Sequence, residues 1–179
     1  MVPEAAIEQL HEGLGAAGPG WFVLNARDAR WWQRAGLGRS CDLEGDADFA
    51  ELGVRLTVLR PGEPSGMYHA ESGQEDFLVV FGECVLVIEG EERQLQAWHF
   101  VHCPPMTEHI FVGSGDGPCV IVMVGARKQD GEIVYPVSEV AARHGASVEV
   151  QTPKPAEAYA PYPREPLFTP YRDGDLPEL

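Results

Sequence analysis

Short alternating runs of apolar residues, set apart by turn-forming clusters, dominate the middle of the chain. Residues 54–59, 77–81, 84–88, 93–96, 100–103, 109–112 and 120–124 follow one another at short intervals. Clusters rich in glycine, proline and acids separate most of them, at 61–66, 82–83, 89–92 and 114–118. Strands of this length, without helices between them, predict an all-β sandwich or barrel. The GluGlyGlu sequence between Ile88 and Arg93 predicts a tight hairpin.

The flanks read differently. Over residues 4–14, Ile7, Leu10 and Leu14 fall at i, i+3 and i+7, with Gly13 and Gly15 near the end, which predicts a short amphipathic helix. Residues 21–24 read as a strand. Trp31 and Trp32 are expected to cover an open edge or one end of the core, an aromatic ligand platform being the alternative. Beyond Gly125, Ser138 is placed to cap a short helix through Arg143 and His144, with Gly145 as its stop. Prolines then recur at 153, 155, 161, 163, 166, 170 and 177, interleaved with Tyr159, Tyr162, Phe168 and Tyr171. That pattern excludes a central strand or a helix and predicts an extended tail, either loose or packed along the barrel or a neighbouring subunit. The resulting division is an N-terminal extension packing on the barrel (1–50), the barrel (51–126), and a C-terminal short helix with a proline-rich arm (127–179). No internal repeat is present.

Composition narrows the partners. With 13 basic and 28 acidic residues, the chain carries a formal charge of −15. Such a field opposes nucleic acid phosphates and anionic membrane surfaces, so neither partner is expected. No apolar run approaches the ~20 residues of a membrane span. The first residues carry acids where a secretory signal carries bases, so a cytoplasmic location is expected. Cys41, Cys84, Cys103 and Cys119 form no C-x-x-C pair. Core packing is their expected role, with Cys103 close in sequence to the residues discussed next.

Within Met67-Tyr68-His69-Ala70-Glu71, strand alternation puts Met67, His69 and Glu71 on one face. An imidazole and a carboxylate turned toward a barrel interior are costly unless something satisfies them, and a divalent cation does so. Glu75 follows just before the run at 77–81, and His109 opens another strand with Phe111 on its face. Two imidazoles with one or two carboxylates suit Zn, Fe, Mn or Ni. Spacing alone leaves open that the two histidines are unrelated.

Two stretches resemble the motifs of the cupin superfamily. In PGEPSGMYHAESGQEDFLVVFG, residues 61–82, His69 falls on the first histidine of the first motif, Glu75 on its glutamate and Gly82 on its closing glycine. In WHFVHCPPMTEHIFVG, residues 98–113, Pro104 and His109 fall on the proline and histidine of the second. The resemblance covers about residues 54–124 and implies a cupin-type double-stranded β-helix (jelly-roll) barrel between short helical or extended flanks. It also implies one divalent metal ion and a homodimer. Four departures stand out: Glu71 replaces a histidine, Trp98 and Met106 replace glycines, and Gly113 replaces an asparagine.

The resemblance thus implies His69, Glu71, Glu75 and His109 as candidate metal ligands. If all four bind, the site is about neutral, a weaker Lewis acid, and less attractive to anionic substrates. If Glu71 stands apart, the other three form a 2-His-1-carboxylate set with open positions, and Glu71 is a candidate catalytic base. A third arrangement has no metal, with the glutamates hydrogen-bonded to the histidines. Met67, Phe77, His102, Met106 and Phe111 are the candidate pocket residues. The expected functions are a metal-dependent enzyme acting on a small molecule (dioxygenase-like or hydrolytic), an isomerase or epimerase of sugar-type substrates, or a non-catalytic module that binds or senses a small ligand.

Overall fold

The computed structural model describes residues 1–47, 49–128 and 130–178. In chain order the elements are β1 (Ile7–Leu10), β2 (Gly13–Ala16), β3 (Trp31–Gln33), β4 (Arg39–Asp42), β5 (Leu52–Leu59), β6 (Ala70–Glu71) and β7 (Glu75–Phe81). They continue with β8 (Glu83–Ile88), β9 (Glu91–Gln96), β10 (Phe100–Cys103), β11 (His109–Ser114), β12 (Cys119–Ala126) and β13 (Ile133–Val134). Helices α1 (Glu139–Ala142) and α2 (Pro155–Ala158) and strand β14 (Leu167–Thr169) complete the chain. All strand pairings are antiparallel: a seven-stranded sheet β10-β7-β12-β5-β4-β3-β14, a three-stranded sheet β11-β8-β9, and the pairs β1-β2 and β13-β6. This is the all-β barrel that the apolar pattern predicts, in the jelly-roll form that the resemblance implies.

Alternation decides which side chains fill the barrel. Phe77 and Val79 on β7, Leu59 on β5, Cys84 and Leu86 on β8, Phe111 on β11 and Ile121 and Met123 on β12 meet between the two sheets. The intervening residues serve two outer layers. Val85 and Val87 with Ile110 and Val112 pack under Ala141 and Ala146 around α1. Val58 and Val120 pack with Trp31, Cys41 and Ala29, against Tyr171 and Leu176 of the tail. A strand buried on both faces reads as an unbroken apolar run, which is why CVLVI in β8 does not alternate. Between β8 and β9, Ile88 pairs with Glu91, leaving Glu89 and Gly90 as a two-residue turn. Both have positive φ, at 48° and 77°, as the tight hairpin requires. All four cysteines are buried and unpaired, and burial pushes the Cys103 thiol up to about 12, leaving it unreactive.

Three expectations for the flanks are corrected. Residues 4–14 form no helix; they begin the β1-β2 hairpin, turning at Glu12 with φ 67°. Gly13 is poorly suited to a helix. Here it permits close contact, since a Cβ on it would lie 2.5 Å from the Arg30 amide nitrogen, and β2 then exchanges hydrogen bonds with 28–30 through Leu14. Residues 22–24 are not a strand, only Trp21 making an isolated bridge to Glu4. The proline-rich segment does include a helix, α2, because Pro155 occupies its first turn, where no amide donor is needed.

Elsewhere the flanks behave as their residues suggest. Ser138 caps α1 by accepting from the Ala141 amide at 3.2 Å. The tail packs on the barrel: Ala158, Tyr159 and Tyr162 join Met67 and Tyr135, and β14 pairs with β3. Residues from both flanks therefore take part in the larger sheet. Among the described residues no helix is long and apolar enough to cross a membrane.

Candidate metal centre

Two strands and a bridging segment before a third deliver the donor groups. On β7 the inward set is Glu75, Phe77 and Val79; on β11 it is His109 and Phe111, facing the same interior. His69 lies just before β6 and is held by reciprocal backbone bonds to His109, at 2.8 and 3.2 Å. The two imidazole centroids are 4.9 Å apart, and the Phe77 ring lies 5.1 Å from that of His109. Donor atoms of His69, Glu75 and His109 all fall within 4.8 Å of one another. His109 Nε2 is 3.4 Å from Glu75 Oε2.

Hydrogen bonds behind the rings fix what the rings present. His69 Nδ1 is 2.8 Å from the Met67 carbonyl, and His109 Nδ1 is 3.0 Å from that of Thr107. A carbonyl only accepts, so each Nδ1 carries the proton and each Nε2 offers a lone pair to the cavity. Burial, joined by the neighbouring His109, presses the His69 pKa down to about 3, and burial likewise lowers that of His109. Burial pushes the Glu75 carboxyl up to about 7. Once Glu75 is ionised, two lone pairs and a carboxylate face one another without a donor hydrogen, the arrangement a divalent cation satisfies. The residues therefore fit such an ion.

Glu71 stands beside this set rather than within it. Its backbone is fixed by pairing with Ile133 and by the Met106 amide, which donates to its carbonyl at 2.7 Å. A Cβ on Gly125 would lie 3.9 Å from both Glu71 Oε1 and Glu75 Oε1, so the missing side chain leaves both carboxylates room on one wall. Burial, and then the charge of Glu75, raise the Glu71 pKa.

The cavity above these groups measures about 270 Å³, and Phe77 and Phe111 line it. Three other expected pocket residues lie elsewhere. Met67 turns to Tyr135 and Ala158, because only single bridges hold residues 67–69 and strict alternation is not imposed. His102 pairs with Asp76 at 2.7 Å on the outer face of β10, since the inward positions there belong to Val101 and Cys103. Met106 is exposed at the turn before β11. Trp32, for which an aromatic ligand platform was the alternative reading, lines the cavity, and so do Arg55, Tyr135 and Tyr159, which sequence reasoning did not place there. For Arg55 a signal existed: it shares a face with Thr57 and Leu59 in an otherwise apolar run.

A jelly roll with histidines and a glutamate at its mouth describes a class, and the match to known families gives it a name. Residues 55–125 match the family described as the cupin domain, so the barrel part of the chain is a cupin domain. Among curated proteins nothing matches the chain. One similar structure is a sugar phosphate isomerase from Silicibacter pomeroyi, at 26% identity over 60% of this chain and 66% of that one, with a TM-score of 0.49. The match thus falls just short of two thirds of that protein's length. The polyketide cyclase RemF from Streptomyces resistomycificus shares 14% identity over 60% of this chain and 80% of its own, with a TM-score of 0.53. An RmlC-like cupin from Shewanella frigidimarina shares 17% over 62% and 95%, with a TM-score of 0.53. These likenesses concern the fold.

Proposed function

We propose that this chain is a metal-dependent cupin enzyme that converts a small organic molecule beside an ion held by His69, Glu75 and His109. One observation carries the reading: both imidazoles are locked by backbone carbonyls with their Nε2 lone pairs turned toward the Glu75 carboxylate. Three protein donors leave coordination positions for a substrate. A bound divalent ion supplies Lewis acidity toward a substrate oxygen. Phe77 beside His109 and Tyr135 beside His69 exclude water from the wall around the imidazoles, and Phe111 and Tyr159 also line the cavity. Glu71, outside the donor set and on the same wall as Glu75, takes a proton from the substrate and returns it.

Elemental analysis of protein purified without chelators or a metal-affinity tag tests this reading. The expected result is one Mn, Fe, Ni or Zn per chain, lost in His69→Ala and kept in Glu71→Gln. A wild type that holds no stoichiometric ion, even after incubation with each of the four, removes the metal reading. Loss of the ion in Glu71→Gln makes Glu71 a ligand instead of the base.

A further inference from the structure

We infer that the cavity selects a small monocarboxylic acid with a flat apolar body, its carboxylate held by Arg55 and its body laid against Trp32. The inference rests on the reading of this cavity as the substrate site and names the class of substrate.

The register fixes where both residues point. On β5, Leu59 lies in the barrel interior and Thr57 donates to the Met123 sulfur at 3.3 Å. Arg55 is two residues before Thr57 and so faces inward at the open end. On β3, Trp32 pairs with Ser40, and Ser40 lies opposite Thr57 with the two hydroxyls 3.0 Å apart. That places Trp32 over the same interior, while Trp31 goes to the outer layer. Arg55 and Trp32 both line the inner cavity, and both line the adjoining groove of about 510 Å³. They stand where one space opens into the other.

Most arginines near the cavity are already engaged. Arg34 donates to the Arg164 carbonyl at 3.1 Å and lies over the Tyr159 ring at 5.0 Å. Arg30 is paired with Asp42. The Arg55 side chain has no hydrogen-bond or ion-pair partner among the described residues, its backbone alone being held in β5. Its charge is felt by Glu71, Glu75 and His69, which places it within electrostatic reach of the donor set. Arg55 is exposed at the open end of β5, so its guanidinium meets an entering ligand at the mouth of the cavity. One guanidinium matches one negative charge, and its fork matches the two oxygens of a carboxylate. Trp32, Phe77, Phe111 and the two tyrosines give the body of the ligand flat apolar surfaces. Against the chain's overall charge of −15, which disfavours the approach of anions, a cation at the cavity mouth gives an anionic ligand a local attraction.

The sequence-based expectation was that a neutral donor set disfavours anions. Arg55 reverses it, because the relevant charge is that of the whole cavity.

Calorimetric titration of the full-length, manganese-loaded protein tests the inference, using benzoate, phenylacetate and cinnamate, each against its carboxamide. At least one acid is expected to bind about ten- to a hundredfold more tightly than its amide, the range for a charge-assisted pair. Arg55→Gln abolishes that preference without lowering amide affinity or manganese content. Trp32→Ala weakens acid and amide alike. The inference is overturned if no acid outbinds its amide, if Arg55→Gln keeps the preference, or if phenylphosphonate outbinds every carboxylate. Metal content, measured on the same samples, separates the two readings. An Arg55-dependent preference in protein that holds no metal sinks the metal reading and keeps this one. Loaded protein with no preference does the reverse.

Discussion

Two clusters of buried charged or ionisable groups lie on opposite sides of the large sheet, and they are built on opposite plans. On the outer face, Arg39 pairs with Asp175, donates to Thr169 Oγ1 at 2.7 Å and to the Pro170 carbonyl at 2.8 Å, and lies 5.5 Å from the Trp31 ring. Arg60 adds a second bond to Asp175 at 3.0 Å. Asp175 is fully buried, and both its oxygens are engaged. Burial, with the nearby Arg172 and Arg60, lowers the Arg39 pKa to about 10, and the group still stays charged at neutral pH. On the inner face, with Glu75 ionised, His69, His109 and Glu75 turn only acceptors toward one another. The first cluster is completed by the chain itself and ties the tail to the barrel. The second finds no completing partner among the described residues, which makes it the candidate binding site.

The largest expected effect comes from opening the closed cluster. Asp175→Ala strands two guanidinium groups, one of them buried, and is expected to cost about 3–5 kcal/mol in urea unfolding, with metal content per folded chain unchanged. Closing off the open cluster comes next. In wild type, manganese at a hundred times its dissociation constant is expected to add about 2.7 kcal/mol of stability, and in His109→Gln that increment disappears. A thermal melt with and without chelator reads the difference directly. Equal metal stabilisation in both proteins would contradict the assignment of His109.

A third test uses pH. The Glu75 carboxyl holds its proton to about pH 7 in the folded protein, against an ordinary value of 4.5. The folded state therefore binds more protons across that interval, and metal-free stability falls as pH rises through it, levelling above about 7. Glu75→Gln, measured in parallel, lacks this decline. The same proton competes with metal, so wild-type affinity for manganese rises from pH 6 to pH 8 and calorimetry records proton release. The smallest effect lies outside both clusters. Trp98 and Met106 hold φ of 76° and 68°, conformations natural to glycine. Replacing either with glycine is expected to relieve left-handed strain worth about 1–2 kcal/mol, seen as a higher midpoint of thermal unfolding, less the backbone entropy glycine adds.

How much of this was legible beforehand follows from which forces were local. The barrel strands were readable because each is a short apolar run between turn residues, and the Glu89-Gly90 turn carries its own geometry. His69, Glu75 and His109 were readable through motif spacing, and the glycine-like backbone at Trp98 and Met106 through the same motifs. The N-terminal hairpin was not, because Ile7, Leu10 and Leu14 satisfy a helical repeat equally well, and only contact with residues 28–30 selects the strand. Arg39–Asp175 was invisible, since nothing local pairs residues that far apart. Glu71 was recognised but could not be assigned between ligand and base, and its side chain now stands beside the three-donor group.

The Arg39–Asp175 bond spans 136 positions, which bears on the order in which the protein is made. Synthesis delivers β3 and β4 early and the strand and carboxylate that cover them last. Until then the outer face of the large sheet displays Trp31, a bare strand edge and an uncompensated guanidinium. The barrel can close around His69, Glu75 and His109 well before this face is sealed, so the nascent protein passes through a stage with its inner cluster assembled and its outer edge still vulnerable to edge-to-edge association.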